Sequence, residues 1–301
     1  MGHVSNRLFA TVFLFVALLA SAFAQRSNNV IAPLQSVTAT GALPDLDVRS
    51  FLRTGSFSLL ARNRAGTNPT LAVKLQSAGM PTTGQAYTTA GTTENELREG
   101  ATTKVQLAAK FTQSGAKSVK YVDLFLKKAG TITAGQTLTA TLNTNSSGVP
   151  SATILGTSAA VAIDTAVTTD YSWVRFTFAT AVDLADATIY HVVLTGTYTA
   201  SASNNVVWRS GTLASGGNQS THNNTSWTAV TTESHEFILK EQAYTDVTNG
   251  AFTTVTTSAG FQTLHFNLDG QLSGFVRPYA TIGGTDTPDF FAAVLLNAQS
   301  R

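Results

Sequence analysis

The chain has 301 residues, 43% of them hydrophobic and only 12% charged, against about 25% charged in an ordinary soluble domain. That hydrophobic share is ample for a core and excludes a disordered chain. Nineteen basic and 17 acidic residues leave a net charge of +2, too small for the cationic surface that nucleic acid requires, so nucleic acid is not an expected partner. Small polar residues take the place of charge, with 48 threonines among them. A β-branched side chain suits a pleated surface wet on one side, so composition favours exposed sheet over helix.

Residues 1–24 read as a secretory signal. Arg7 supplies the positive start, residues 8–19 form an almost unbroken apolar run, and Ala22-Phe23-Ala24 is a small-x-small cleavage site that would leave Gln25 first. No second long apolar run follows, so no membrane contact is expected after cleavage. With no cysteine in the chain, neither a disulfide nor a lipidated cysteine is available, and an exported fold must be held by its core and sheet ladders.

After the signal, period-2 patterning dominates. Residues 56–62 and 70–75 alternate within a first segment, 30–79. Residues 80–100 are polar, alternate poorly and hold the small acidic cluster Glu94-Asn95-Glu96, which marks a connector. Runs at 119–126, 137–142, 173–178 and 190–194 follow in a second unit, 101–240. Runs at 261–268 and 290–296 close the chain within 241–298. In the stretch 261–268, Leu264, Phe266 and Leu268 share one face and Thr263, His265 and Asn267 the other. Clusters such as Asn145-Ser146-Ser147-Gly148 and Ile282-Gly283-Gly284-Thr285 supply turns. The flanking segments have too few strands to close a core separately but reach domain size together. The expectation is an all-β chain of two antiparallel β-sandwiches, one inserted into a discontinuous outer one.

Two resemblances sharpen this. The stretches Val37-Thr38-Ala39-Thr40-Gly41, Asn68-Pro69-Thr70-Leu71-Ala72-Val73-Lys74-Leu75, Tyr244-Thr245-Asp246-Val247 and Val276-Arg277-Pro278-Tyr279-Ala280-Thr281 resemble a small β-sandwich module. That module occurs in phage decoration and minor virion proteins and in bacterial surface proteins. The inner unit, through Val122-Asp123-Leu124-Phe125-Leu126-Lys127-Lys128, Ser172-Trp173-Val174-Arg175-Phe176-Thr177-Phe178 and Tyr190-His191-Val192-Val193-Leu194, resembles a jelly-roll module of the carbohydrate-binding type. The resemblances imply an inner jelly roll within an outer sandwich, and structural or attachment roles. A secretory signal departs from the virion pattern.

Chemistry is sparse. His235-Glu236-Phe237-Ile238-Leu239 begins like a zinc-protease helix, but Leu239 stands where the second His is required, and the segment alternates like a strand. Asp45-Leu46-Asp47 could bind Ca²⁺ together with backbone oxygens, but one alternating strand with two outward carboxylates and an inward Leu explains it better. Nucleophile elbows, phosphate loops and dinucleotide fingerprints are missing, so no catalytic residue, metal or cofactor is expected. Trp173 is expected in the core. Trp208 and Trp227 bracket a Gly-, Ser- and Asn-rich stretch, and with Arg209 and Asn224 form the candidate glycan site, rings to stack on a sugar and polar groups to hold its hydroxyls. The competing reading makes both indoles core plugs. These features suit a secreted, non-enzymatic structural or adhesion protein of a cell surface or extracellular assembly, with a glycan or its own copies as partners. The alternative is a virion decoration or fibre protein, and an exported glycan hydrolase ranks below both.

Overall fold

The computed structural model describes residues 28–48, 51–89, 91–98, 104–199, 201, 203–212, 217–256, 260–267 and 274–300. The expected signal at 1–24 lies outside them, as does Leu268. In chain order the strands begin with β1 (Asn28–Val37), β2 (Gly41–Ala42), β3 (Leu46–Asp47), β4 (Phe51–Ala78), β5 (Thr82–Tyr87), β6 (Thr93–Leu97) and β7 (Gln106–Thr112). Next come β8 (Lys117–Ala129), β9 (Thr137–Ser146), β10 (Val149–Thr157), β11 (Val161–Ala162), β12 (Ser172–Leu184), β13 (Ile189–Gly196) and β14 (Asn205–Thr212). The chain continues with β15 (Gln219–His222), β16 (Trp227–Val230), β17 (Glu233–His235), β18 (Phe237–Gln242), β19 (Thr245–Ala251), β20 (Gly260–Asn267) and β21 (Phe275–Ser300). Every pairing between them is antiparallel, and among the described residues one helical turn, Ile163–Ala166, interrupts the strands. The protein is an all-β sandwich fold.

Two compact units divide the chain: residues up to Gly79 together with those from Thr245, and Met80–Tyr244. The first is built on a ribbon of β4 and β21, paired from Phe275↔Ala78 to Ser300↔Phe51. Sequence patterning separates 56–62 from 70–75, yet both lie on β4. What separates them is a corner, where Gly66 and Asn68 take φ of +107° and +47° opposite Gly284, Asp286 and Thr287 at +113°, +58° and +52°, and where the ladder loses register. Gly66 is needed there, because a Cβ would lie 2.8 Å from Pro288 Cα. Both arms of the bent ribbon face one core: Phe57, Leu59 and Ala61 on one side of the corner, Leu71, Val73 and Leu75 on the other, closed by Val247, Phe252, Val276, Phe290, Val294 and Leu296. Leu264 packs against this core as its alternation predicts.

The second unit holds two sheets. One runs β10-β9-β13-β7-β15-β16, with β11 on β9. The other is centred on β8, which pairs β12 along one edge and β18 and β14 along the opposite one, with β5, β6 and β17 outside these. Inward residues of both sheets, among them Leu107, Phe111, Leu124, Leu126, Leu142, Phe176, Phe178, Val192, Leu194, Trp208 and Leu239, make one core. The stretch 80–100, read from sequence as a connector, instead supplies β5 against β18 and β6 against β14. Its alternation escaped notice because the inward positions of β6 are Asn95 and Leu97, one of them polar.

Candidate functional site

The four residues of the expected glycan site do not come together. Trp208 and Arg209 are neighbours on β14, and strand alternation sends them to opposite faces. Trp208 points inward and is fully buried; its indole N–H donates to the Glu236 carbonyl at 2.8 Å, and its ring stacks on His235 at 4.2 Å and 12°. No ligand can reach it. Trp227 is half-buried on β16, an edge strand of the opposite sheet, with its ring 4.9 Å from that of His222. Asn224 is exposed in the β15–β16 hairpin at φ +72°, where its backbone N–H donates to His222 Nδ1 at 3.1 Å. The core-plug reading therefore describes Trp208, and only Arg209 faces a surface of interest.

That surface is the outer face of the β8-centred sheet. On β8 the core takes Val122, Leu124 and Leu126, leaving Tyr121, Asp123, Phe125 and Lys127 outward; on β12, Val174, Phe176 and Phe178 go in, and Trp173 and Arg175 come out. Trp173, expected in the core, is thus 40% exposed. The sequence did carry this signal, because Arg175 and Thr177 share its phase. Register sets Trp173 beside Phe125 and Arg175 beside Asp123. Three rings run together: Trp173 and Phe125 have centroids 4.8 Å apart at 47°, and Phe125 and Tyr171 lie 5.4 Å apart, stacked at 14°.

Cations brace the row. Arg209 holds its guanidinium 4.3 Å from the Phe125 centroid and 5.4 Å from that of Tyr171, while its Nε and Nη2 donate to both Glu236 oxygens at 2.6 and 3.3 Å. Lys127 sits 4.8 Å from the Tyr171 centroid and is bonded to Glu94. Arg175 grips Asp123 with two bonds, 2.8 and 2.9 Å, over the Tyr121 ring at 4.9 Å. Those hydrogen bonds raise the Arg175 pKa, and burial together with the Glu94 carboxylate pushes the Tyr171 phenol well above its ordinary value. Each of these three cations is paired to a carboxylate. Such a surface offers flat apolar area edged by donors and acceptors that are already paired with one another.

Histidines give no metal centre: among the described residues no group of three His, Cys, Asp or Glu could hold an ion. His235 lies in the core with neither ring nitrogen hydrogen-bonded, and burial pushes its pKa down to about 3. His191 is buried as well, held by Nε2 to Asn145 Oδ1 at 3.0 Å, and burial plus Lys110 lowers its pKa to about 4. Glu236, the would-be zinc-motif glutamate, is the partner of Arg209.

No family model and no curated protein matches this sequence. Among solved structures, the chain is similar to the VP2 subviral particle of infectious bursal disease virus at 11% identity and a TM-score of 0.22, covering 92% of this chain and 82% of that one. The structure of the Gt strain of the same virus aligns at 9% identity and a TM-score of 0.22, over 92% and 82%. Scores this low carry no inference about the present chain.

Proposed function

We propose that this is an exported structural and attachment protein that acts on no external substrate, and that its inner unit holds a neutral glycan on the Trp173–Phe125–Tyr171 row. The observation that carries this reading is one exposed ring, Trp173, continued by the half-buried Phe125 and Tyr171 among cations already paired to carboxylates. A pyranose presents a flat C–H face to an aromatic ring and hydroxyls to the polar groups around it, and an ionic ligand would have to displace carboxylates already bonded to Arg175, Arg209 and Lys127. Stacking on one ring is worth roughly 1 to 3 kcal/mol by analogy with bases on aromatic side chains, so single-site binding is weak and gains from many copies on one surface.

The test is a glycan array followed by titration of any hit with the intact protein and with Trp173→Ala. Loss of that ring should weaken binding about 5- to 150-fold without lowering the melting temperature, since the indole is outside the core. Affinity should hardly change between low and physiological salt. An array without hits, or a Trp173→Ala protein that binds as well as the original, rejects the proposal.

A further inference from the structure

Between the two sheets of the inner unit, three buried polar side chains meet, Asn95 from β6, Ser210 from β14 and Gln219 from β15, with the half-buried Glu233 of β17 at their edge. Ser210, Asn95 and Gln219 are 0%, 4% and 3% exposed. Their arrangement is more directed than mutual satisfaction needs. The Ser210 hydroxyl donates to Glu233 Oε2 at 3.1 Å while its oxygen accepts from Asn95 Nδ2 at 2.8 Å. Asn95 Nδ2 also lies 2.8 Å from the same Glu233 oxygen and 3.4 Å from Gln219 Oε1, so three acceptors crowd a nitrogen with two hydrogens. On the other side of that amide, Gln219 Nε2 donates to Asn95 Oδ1 at 2.9 Å.

We propose that this cluster is a self-acylation site which joins Ser210 to Asn95 through an ester. Each group has a role in acyl transfer. Glu233 takes the hydroxyl proton as Ser210 Oγ attacks Asn95 Cγ. Charge that gathers on Asn95 Oδ1 in the tetrahedral intermediate meets the Gln219 N–H already aimed at it. The Cγ–Nδ2 bond then breaks, Glu233 returns the proton to the departing nitrogen, and ammonia leaves. The Cγ–Oγ bond is the one formed, the carboxylate ends as it began, and no oxidant or co-substrate is consumed. Ser210 Oγ accepts from the Asn95 N–H in the plane of that amide, so attack requires the amide to turn its face to the hydroxyl, while Glu233, 3.1 Å from the hydroxyl and 2.8 Å from the leaving nitrogen, stays in reach of both. The bond would tie β6 to β14 in a chain that has no cysteine for the purpose, closing a long loop as a disulfide would.

Mass spectrometry of the full chain decides it. The folded protein should be lighter than its sequence by one ammonia, and tryptic peptides carrying Asn95 and Ser210 should be recovered as one branched species. Ser210→Ala should restore the full mass and release the two peptides separately, Ser210→Thr should keep the link, and Glu233→Gln should slow or abolish it. A wild-type protein at full mass with both peptides free overturns the proposal. So does an ammonia loss that maps elsewhere, for instance to a succinimide at Asn249-Gly250.

Discussion

Acid should destabilise the inner unit, and His235 is the sharpest probe. Its neutral imidazole is stacked on Trp208 with no hydrogen-bond partner at either nitrogen. In the unfolded chain it titrates at about 6.5, in the folded one at about 3. Below pH 6.5 the unfolded state therefore binds a proton that the folded state refuses, so stability falls as pH falls through that window and the loss is complete only near pH 3. At about 1.36 kcal/mol per pH unit, going from pH 7 to pH 5 removes roughly 2 kcal/mol through His235. His191, with its folded value of about 4, removes a similar amount. The combined loss of about 4 kcal/mol would move a urea midpoint by roughly 2 M at a slope near 2 kcal/mol/M. The readout is clean because all three tryptophans, Trp173, Trp208 and Trp227, lie in the inner unit, so intrinsic fluorescence follows that unit alone. His235→Phe, which keeps a flat ring against Trp208, should remove about half of the pH dependence between 7 and 5. A midpoint that stays constant over this range, or an equal slope in the variant, would refute the reasoning.

Two further outcomes test the organisation of the chain. A fragment spanning residues 80–244 should unfold cooperatively, whereas 101–240 lacks β5, β6 with its Asn95, and the end of β18, and should be markedly less stable by circular dichroism. Sequencing the amino terminus of the protein from its own cells should read Gln25 first, and a start at Met1 would end the export proposal.

How far the sequence could be read depended on what each position was asked to do. Alternation located the core-facing strands because their inward residues are apolar, as in Val174, Phe176 and Phe178 or Leu71, Val73 and Leu75. It failed where the interior itself is polar: Asn95 on β6 and Gln219 on β15 occupy inward positions, so 80–100 looked like a connector and 219–222 like loop. The ring row was missed for a related reason. Trp173 reads as a core residue of an apolar strand and Trp208 as a ring beside a polar stretch, and only phase relative to neighbours separates the exposed indole from the buried one. Tyr171 and Phe125 are far apart in sequence and meet only through the β8–β12 ladder. The corner of the long ribbon carries Gly, Asn and Pro like any turn, and nothing local reveals that the chain bends there and continues in the same strand.

The place where the inner unit interrupts the outer one has a mechanical consequence. The chain leaves after Ala78 and returns at Thr245, whose ladder partner is Ser77, reinforced by Lys74 and Gln76 bonding to Asp246. Tension along the backbone can therefore cross from β4 to β19 through that short ladder and bypass the whole excursion. As long as those few bonds hold, the ring-bearing unit stays slack and keeps its shape while the outer ribbon bears the pull. Their rupture would act as a fuse, bringing Met80–Tyr244 into the line of force only after the load has exceeded what the outer ladder can carry.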